Sequence, residues 1–239
     1  MKISVKSIMS CIFPFKQSSS SDFTLPADFT YTAHSGCVHT PDNSIASIEA
    51  AVAYGADIVE VDLNFTPDGQ PVLSHDDPKG GEVTLDEAFG KISGYENLRV
   101  NVDVKKTTDL KAVEILAKKH GIFDRMFFTG IRECDVDAVK KSTPDVPYYL
   151  NTDVSRMQSD AYLDSLVKKV TDCGAIGINF NKKNATKKLV DKFRDNGLLV
   201  SIWTANSEKD IRRLLVLSPD NITTRRPDII VKILQNRNV

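Results

Sequence analysis

From Phe29 onward, the chain alternates between two hydrophobic patterns. One pattern places an apolar residue at every second position, as in Ile58–Thr66, and predicts a half-buried strand. The other repeats apolar residues about every 3.6 positions, as in Ser44–Gly55, and predicts a helix. Eight strands that precede helices are predicted, and they begin at Phe29, Ile58, Leu98, Met126, Tyr148, Ala175, Leu198 and Ile222. A further short strand, Pro71–His75, follows the second of them.

Repeated strand–helix units predict parallel strands, because a helical crossover returns the chain to the same end of the sheet. Eight such units predict a closed (β/α)8 TIM barrel, an α/β fold. We place this single domain at residues 28–239, after an N-terminal leader at residues 1–27. The alternative is a doubly wound open sheet. Such a sheet would want a glycine-rich phosphate loop after its first strand, and the sequence has neither a GxGxxG nor a Walker motif.

The 239 residues carry a formal net charge of -1, and the two signs are interspersed. This balance argues against nucleic acid as a partner, because phosphate binding needs clustered Lys and Arg. The four cysteines are far apart and form no CxxC pair, which favours reduced thiols and a cytoplasmic location. The leader contains Lys2, Lys6 and a short apolar patch at Ile8–Phe15. It leaves weak membrane contact, or a lipoprotein anchor at Cys11, as alternatives.

Acidic side chains are predicted on the inner faces of two neighbouring strands. Glu60 and Asp62 alternate with apolar residues on one strand, and Asp103 and Lys105 do so on the next. Carboxylates this close repel one another unless a cation joins them. We therefore predict one divalent cation held by the three carboxylates, Mg²⁺ or Ca²⁺ with Mn²⁺ as an alternative, because oxygen ligands suit hard ions. The competing interpretation is a strand whose polar face meets solvent.

Two histidines fall at predicted strand ends, where barrel enzymes carry their active sites. His34 falls at the end of the first strand, predicted as Phe29–Gly36, and His75 ends the short strand, so both are candidates for the general acid and base. His39, in a loop, and His120, at a helix end, are expected to be ordinary surface residues. A cation, two histidines and Lys105 together indicate phosphate-ester chemistry, in which the positive groups stabilise charge on the phosphoryl group.

The order of these residues resembles the motif pattern of the glycerophosphodiester phosphodiesterase family. The match runs in order from about Ala33 to Asp228, nearly the whole predicted barrel. The segments that carry it are His34-Ser35-Gly36, Pro41-Asp42-Asn43-Ser44, Gly55-Ala56-Asp57-Ile58-Val59-Glu60-Val61-Asp62, Thr66-Pro67-Asp68-Gly69, His75-Asp76, Asn101-Val102-Asp103-Val104-Lys105, Ile202-Trp203-Thr204-Ala205-Asn206 and Arg226-Pro227-Asp228.

The resemblance implies a (β/α)8 barrel that hydrolyses glycerophosphodiesters to glycerol 3-phosphate and an alcohol. It implies the same histidines as acid and base and the same three carboxylates as metal ligands. It also implies that Lys105 lies near the phosphate and that Trp203 lines the pocket. In the family, a neighbouring hydroxyl of the substrate is the expected nucleophile, and it gives a cyclic phosphate that water then opens.

Three departures from the family pattern affect the prediction. Ser35 stands where the family has an arginine that pairs with the phosphate, and we hypothesise that Arg225 restores this cation. The usual insertion between His75-Asp76 and the next helix is missing, so we expect no glycerol-binding lid. Asp103 replaces a glutamate and shortens one ligand.

Two functional alternatives remain from the sequence. One is a related barrel that acts on lysophospholipids, sphingomyelin or another diester, by hydrolysis or by cyclising transfer. The other is a barrel that binds phosphodiesters without catalysis. The native metal, the alcohol and the oligomeric state stay open.

Overall fold

Strands and helices alternate throughout the computed structural model, which describes residues 23–236. The strands are β1 (Thr30–Ala33), β2 (Ile58–Phe65), β3 (Pro71–Leu73), β4 (Arg99–Val104), β5 (Met126–Ile131), β6 (Tyr148–Asn151), β7 (Gly177–Asn181), β8 (Leu199–Trp203) and β9 (Asn221–Thr224). The helices are α1 (Ile45–Ala53), α2 (Leu85–Ser93), α3 (Leu110–Lys119), α4 (Val136–Ser142), α5 (Asp160–Cys173), α6 (Lys187–Asp195), α7 (Glu208–Leu217) and α8 (Pro227–Gln235).

Eight of the nine strands between residues 23 and 236 are parallel and close into a barrel. They follow one another as β1, β2, β4, β5, β6, β7, β8 and β9, and β9 pairs back to β1. The short β3 is antiparallel to β2 and stands outside this ring. The closure confirms the predicted (β/α)8 barrel and excludes the open sheet, because both edges of an open sheet would lack a partner.

Both faces of β2 are covered. Its outward residues Val59, Val61 and Leu63 belong to the main hydrophobic core, which the helices cover. Its inward residues Glu60 and Asp62 are buried as well. A polar strand face that meets solvent is therefore excluded, since a parallel barrel strand is packed on both sides.

The barrel interior changes character along its axis. Ile58, Phe127 and Tyr149, near the starts of their strands, form a separate apolar cluster. Beyond it toward the C-terminal strand ends, the inward positions are polar, as at Glu60 and Asp103. The apolar cluster lies at one end of the interior, and the polar groups line a cavity toward the other end.

The first strand is shorter than predicted. It ends at Ala33, whereas the prediction extended it to Gly36. Gly36 has a φ of +73°, and a Cβ at this position would lie 1.8 Å from Asp42 Oδ1. The backbone turns there in a conformation that favours glycine, so the strand cannot run through it. His34 therefore lies just after β1, at the mouth of the barrel.

The predicted leader is only partly within the described residues. Residues 1–22, with the lysines, the apolar patch and Cys11, lie outside them. Phe23 is buried in the core, and the Thr24 carbonyl accepts a hydrogen bond from the Ser218 hydroxyl. Within residues 23–236, no helix has the length and apolar character to cross a membrane.

Candidate active site

A cavity of about 580 Å³ opens at the C-terminal ends of the barrel strands. This is the end of the barrel at which (β/α)8 enzymes carry their active sites. The structure brings seven of the eight sequence-predicted site residues together in its lining: His34, Glu60, Asp62, His75, Asp103, Lys105 and Trp203. The eighth, Arg225, lines a second cavity instead.

His34 is held in one tautomer at the end of β1. Its Nδ1 lies 2.8 Å from the Ser35 carbonyl oxygen. Because a carbonyl only accepts, Nδ1 carries the proton, and Nε2 is unprotonated in the neutral ring. Nε2 lies 3.5 Å from Glu60 Oε1. Burial lowers the pKa of His34 and outweighs the Ser35 carbonyl, so the neutral form is favoured near neutral pH.

Glu60 is buried on β2, with 8% of its surface exposed. Its Oε2 accepts a hydrogen bond of 3.2 Å from the Asn101 amide, and Asn101 accepts one of 2.8 Å from the Thr129 hydroxyl. Burial raises the pKa of Glu60 well above its ordinary value, and the charges of Asp103 and Asp62 raise it further. A nearby cation would therefore be needed to keep this carboxyl group ionised.

Lys105 joins the other two carboxylates. Its Nζ lies 2.9 Å from Asp62 Oδ1 and also pairs with Asp103 Oδ2. Burial lowers the pKa of Lys105, but the two carboxylates raise it more, so it lies above the ordinary lysine value. Asp103 also contacts the Thr129 hydroxyl at 2.8 Å. The Lys105 ammonium thus holds both carboxylates, and the single proton of the Thr129 hydroxyl can be donated to either Asp103 or Asn101 at one time.

Asn43 fixes Asp62 from the opposite side. Its Nδ2 donates to Asp62 Oδ2 at 2.8 Å, and the Asp62 backbone N–H donates to Asn43 Oδ1 at 3.1 Å. The Asn43 backbone N–H donates in turn to Ser35 Oγ at 2.6 Å. Ser35, where the family has arginine, is buried and therefore belongs to the frame that positions Asp62. The sequence prediction missed Asn43, although the segment Pro41-Asp42-Asn43-Ser44 offered the signal.

His75 stands at the mouth of the cavity, in the segment that follows β3. Its side chain is 68% exposed, and its Nδ1 lies 3.0 Å from Asp76 Oδ1. The Asp76 carbonyl accepts hydrogen bonds of 2.8 Å from the Asn64 amide and the Ser74 hydroxyl. The segment is therefore anchored to β2, and the cavity has one half-buried histidine, His34, and one exposed histidine, His75.

The three carboxylates predicted to bind a cation line the same cavity, but they are not arranged around a common point as metal ligands are. Within residues 23–236, no three His, Cys, Asp or Glu side chains are already placed to hold a metal ion. The Lys105 ammonium forms ion pairs with two of the three carboxylates, Asp62 and Asp103. The oxygen donors and the raised pKa of Glu60 nevertheless suit a hard divalent ion, because such an ion would offset the repulsion among the carboxylates.

Arg225 is engaged elsewhere. Its guanidinium pairs with Asp42, and its backbone N–H donates to Asn206 Oδ1 at 2.9 Å. The surrounding second cavity has a volume of about 470 Å³ and is also lined by Gly36, His39, Thr40 and Arg226. The predicted phosphate contact of Arg225 thus stays a prediction, and its charge already has a partner.

The active-site cavity also has lining residues that the sequence prediction did not include. They lie between the middle of a strand and the loop that follows it, and they are Val104, Thr107, Gly130, Arg132, Cys134, Asp135, Asn151, Asn179 and Thr204. In the described part of the chain, the Arg132 guanidinium has no carboxylate partner.

His120 differs from its predicted surface role: it is half-buried, with Nε2 2.6 Å from Asp86 Oδ1.

Comparisons with known proteins agree with this geometry. The sequence profile of the "Glycerophosphoryl diester phosphodiesterase family" matches residues 34–99 and 79–229. A glycerophosphodiester phosphodiesterase of Bacillus altitudinis is 25% identical over 233 residues, which cover 81% of this chain and 92% of that protein.

Solved structures share the fold. A glycerophosphodiester phosphodiesterase of Agrobacterium tumefaciens has a TM-score of 0.70 and 18% identity, and the alignment covers 85% of this chain and 99% of that chain. An Oleispira antarctica phosphodiesterase, solved with the product sn-glycerol-3-phosphate, has a TM-score of 0.70 and 22% identity, with 88% and 97% covered.

Proposed function

Because the chain belongs to the glycerophosphoryl diester phosphodiesterase family, a group of phosphoric diester hydrolases, we propose that it hydrolyses glycerophosphodiesters to glycerol 3-phosphate and an alcohol. One observation carries this proposal. His34, His75, three carboxylates and Lys105 line a single cavity at the C-terminal end of the barrel. Phosphoryl transfer needs groups of these kinds, namely proton donors and acceptors beside fixed positive charge.

His34 is the general base in this proposal. Its Nδ1 proton is donated to the Ser35 carbonyl, which leaves the Nε2 lone pair available. Nε2 takes the proton of the glycerol hydroxyl next to the phosphate, and the oxygen of that hydroxyl attacks phosphorus. The bond between phosphorus and the oxygen of the other alcohol breaks, and a cyclic phosphate results.

His75 is the general acid. Asp76 accepts the Nδ1 proton at 3.0 Å, so Nε2 is the nitrogen that exchanges protons with the substrate. It protonates the leaving oxygen as the bond to phosphorus breaks. In the second half of the reaction, the histidines exchange roles: His75 deprotonates water, and His34 returns a proton to the glycerol oxygen. The exposed position of His75 gives it contact with water.

Glu60, Asp62 and Asp103 would hold the divalent cation, Mg²⁺ or Ca²⁺ with Mn²⁺ as an alternative. When bound, the cation would supply positive charge to stabilise the phosphoryl oxygens. Lys105 shares two of these carboxylates and would contact the same oxygens from the protein side. Trp203 would form the wall of the substrate pocket at the end of β8.

The test is an activity panel with purified full-length protein. Glycerophosphodiesters with different alcohols, lysophospholipids and sphingomyelin are assayed with Mg²⁺, Ca²⁺ and Mn²⁺. We expect glycerophosphodiester turnover that requires one of the cations and falls at least about 100-fold in His34→Ala and Glu60→Gln. Glu208→Gln, an exposed change on α7, serves as the control with unchanged turnover.

Analysis of the products distinguishes hydrolysis of glycerophosphodiesters from the alternative activities. Phosphorus NMR that shows glycerol 3-phosphate supports hydrolysis, whereas an accumulating cyclic phosphate indicates transfer without hydrolysis. Turnover only of lysophospholipids or sphingomyelin would replace the proposed substrate class. Absence of turnover for every diester and cation, with retained diester binding, would favour the non-catalytic barrel.

The role of Arg225 is tested separately. If Arg225 supplies the cation that Ser35 lacks, Arg225→Gln raises the KM, and Asp42→Asn, which frees the guanidinium, does not. Arg132→Gln is the comparison, because Arg132 lines the active-site cavity itself. Unchanged kinetics in Arg225→Gln would dismiss the Arg225 hypothesis.

A further inference from the structure

Two polar atoms in the wall of the active-site cavity lack a hydrogen-bond partner. They are Asn179 Oδ1 and Trp203 Nε1, and both are buried. Among the described residues, these are the buried side-chain polar atoms left unpaired. An unpaired buried polar group is costly to the fold. Their side chains both line the cavity that contains the histidines, so a ligand in that cavity could pair with the two atoms after a small shift of these side chains.

The orientation of the Asn179 amide is fixed by its neighbours. The Gly130 backbone N–H donates to Asn151 Oδ1 at 3.1 Å. Because a backbone N–H can only donate, the Asn151 atom is the oxygen. Asn179 Nδ2 donates to this same oxygen at 2.9 Å. Asn179 therefore presents its Nδ2 to Asn151, and its Oδ1 is left as an acceptor.

The unpaired acceptor and the unpaired donor lie on neighbouring strands and the same face. Asn179 pairs in register with Ser201, and Asn181 pairs with Trp203. Residues two apart on a strand share a face, so Asn179 and Trp203 both project to the barrel interior. An indole nitrogen can only donate. Together the two side chains offer one acceptor and one donor, which is the complement of a hydroxyl group.

Neither side chain titrates near neutral pH, so the pair can position a hydroxyl but cannot deprotonate it. The hydroxyl that attacks phosphorus needs a base and belongs with the histidines. We infer that Asn179 and Trp203 form a recognition subsite for a non-reacting hydroxyl of the substrate, the glycerol hydroxyl farther from the phosphate. This inference rests on the proposed glycerophosphodiester activity.

The kinetic test compares two substrates with the same leaving alcohol. One is a glycerophosphodiester, and the other is its propane-1,2-diol analogue, which keeps the hydroxyl next to the phosphate and lacks the distal one. We expect the wild type to prefer glycerol by about 10- to 100-fold in kcat/KM. In Asn179→Ala and Trp203→Phe, the glycerol substrate loses rate while the analogue does not, so the preference falls toward one.

Asn184→Ala is the matched control. Asn184 donates to the Val154 carbonyl and does not line the cavity, so this variant should keep the wild-type preference. An equal rate for both substrates in the wild type would overturn the subsite. So would a preference that persists undiminished in both variants, because it would then arise from other residues.

A binding readout makes the inference independent of turnover. Trp203 is the single tryptophan of the chain, so intrinsic fluorescence reports on the proposed donor itself. We expect glycerol 3-phosphate to change this fluorescence at a concentration about tenfold lower than propane-1,2-diol 1-phosphate does. Identical titrations would overturn the subsite. If no glycerophosphodiester is turned over but the titrations differ, the proposed function fails while the subsite stands.

Discussion

At the scale of single residues, Asn43 fixes Asp62 on the side opposite Lys105. Asn43 contacts the Asp62 side chain and backbone at once, and Ser35 holds Asn43. Asn43 also has a φ of +54°, a left-handed conformation in which asparagine is several-fold enriched. Its side chain and its backbone preference therefore serve the same function, which is to place a predicted cation ligand.

Asn43→Gly removes the side chain while glycine keeps the backbone conformation free of strain. We expect kcat/KM to fall about 10- to 100-fold with little change in thermal stability, because a partner that orients a proposed metal ligand is lost. Steady-state kinetics and circular dichroism melts measure the two effects. Asn196→Gly, an exposed change after α6, is the control. Full activity in Asn43→Gly would show that Asp62 is held without it.

Gly130 permits a close approach beside Asp103. Its φ is +78°, and a Cβ there would lie 2.4 Å from the Val104 carbonyl oxygen. We expect Gly130→Ala to destabilise the protein by more than the ~1 kcal/mol of left-handed strain alone. Gly197→Ala is the matched control, because Gly197 has a φ of +70° and open space around it. Equal free energies of unfolding in urea for the two variants would contradict a steric role.

At the scale of elements, α8 begins with an ion pair that predicts a pH effect. Asp228 sits in the first turn, and the Arg226 guanidinium binds it with two contacts of 2.8 Å. Arg226 lowers the pKa of Asp228 below its ordinary value. A lowered folded-state pKa stabilises the fold above the unfolded-state pKa, and this contribution is lost as the pH falls through the folded value.

We therefore expect Asp228→Asn to reduce the free energy of unfolding by about 1 kcal/mol at pH 7 and much less at pH 3. Urea unfolding at both pH values measures the difference. Glu208→Gln removes a comparable first-turn acid of α7, but its pair with Arg212 is exposed, so its effect should be smaller. A cost for Asp228→Asn that is the same at both pH values would rule out the ion pair as its cause.

Elements were predictable where local pattern decides the structure. The two-residue alternation of β2 correctly placed Glu60 and Asp62 inside the barrel, because strand periodicity depends only on neighbouring residues. The end of β1 was not predictable, since it depends on the left-handed turn at Gly36, where the Asp42 side chain leaves no room for a Cβ, and the apolar alternation does not report such packing. The unpaired atoms of Asn179 and Trp203 were not predictable for the same reason: hydrogen-bond satisfaction is a tertiary property.

At the scale of the whole molecule, the near-neutral net charge conceals an acidic interior at one end of the barrel. Glu60, Asp62 and Asp103 face a single lysine there. Burial and the neighbouring carboxylates both raise the pKa of Glu60. A cation bound among these carboxylates would therefore offset their mutual repulsion.

We expect Mg²⁺ or Ca²⁺ to raise the Tm, because a ligand at about 100 times its Kd adds ~2.7 kcal/mol to stability. Glu60→Gln should abolish this increase without lowering the Tm measured in a chelator, since it removes a buried acid. Differential scanning calorimetry measures both values. A cation effect that survives in Glu60→Gln would place the ion elsewhere.

The pairing of β1 with β9 also decides when the protein can become active. His34 follows β1, near the start of the described chain, and its backbone N–H bonds to the Thr224 carbonyl at the end of β9. A ribosome therefore has to release the chain as far as Thr224 before the last strand can complete the ring. Until then the histidine has no fixed place beside the carboxylates. A prematurely terminated product that lacks β9 would thus be inert, not partly active.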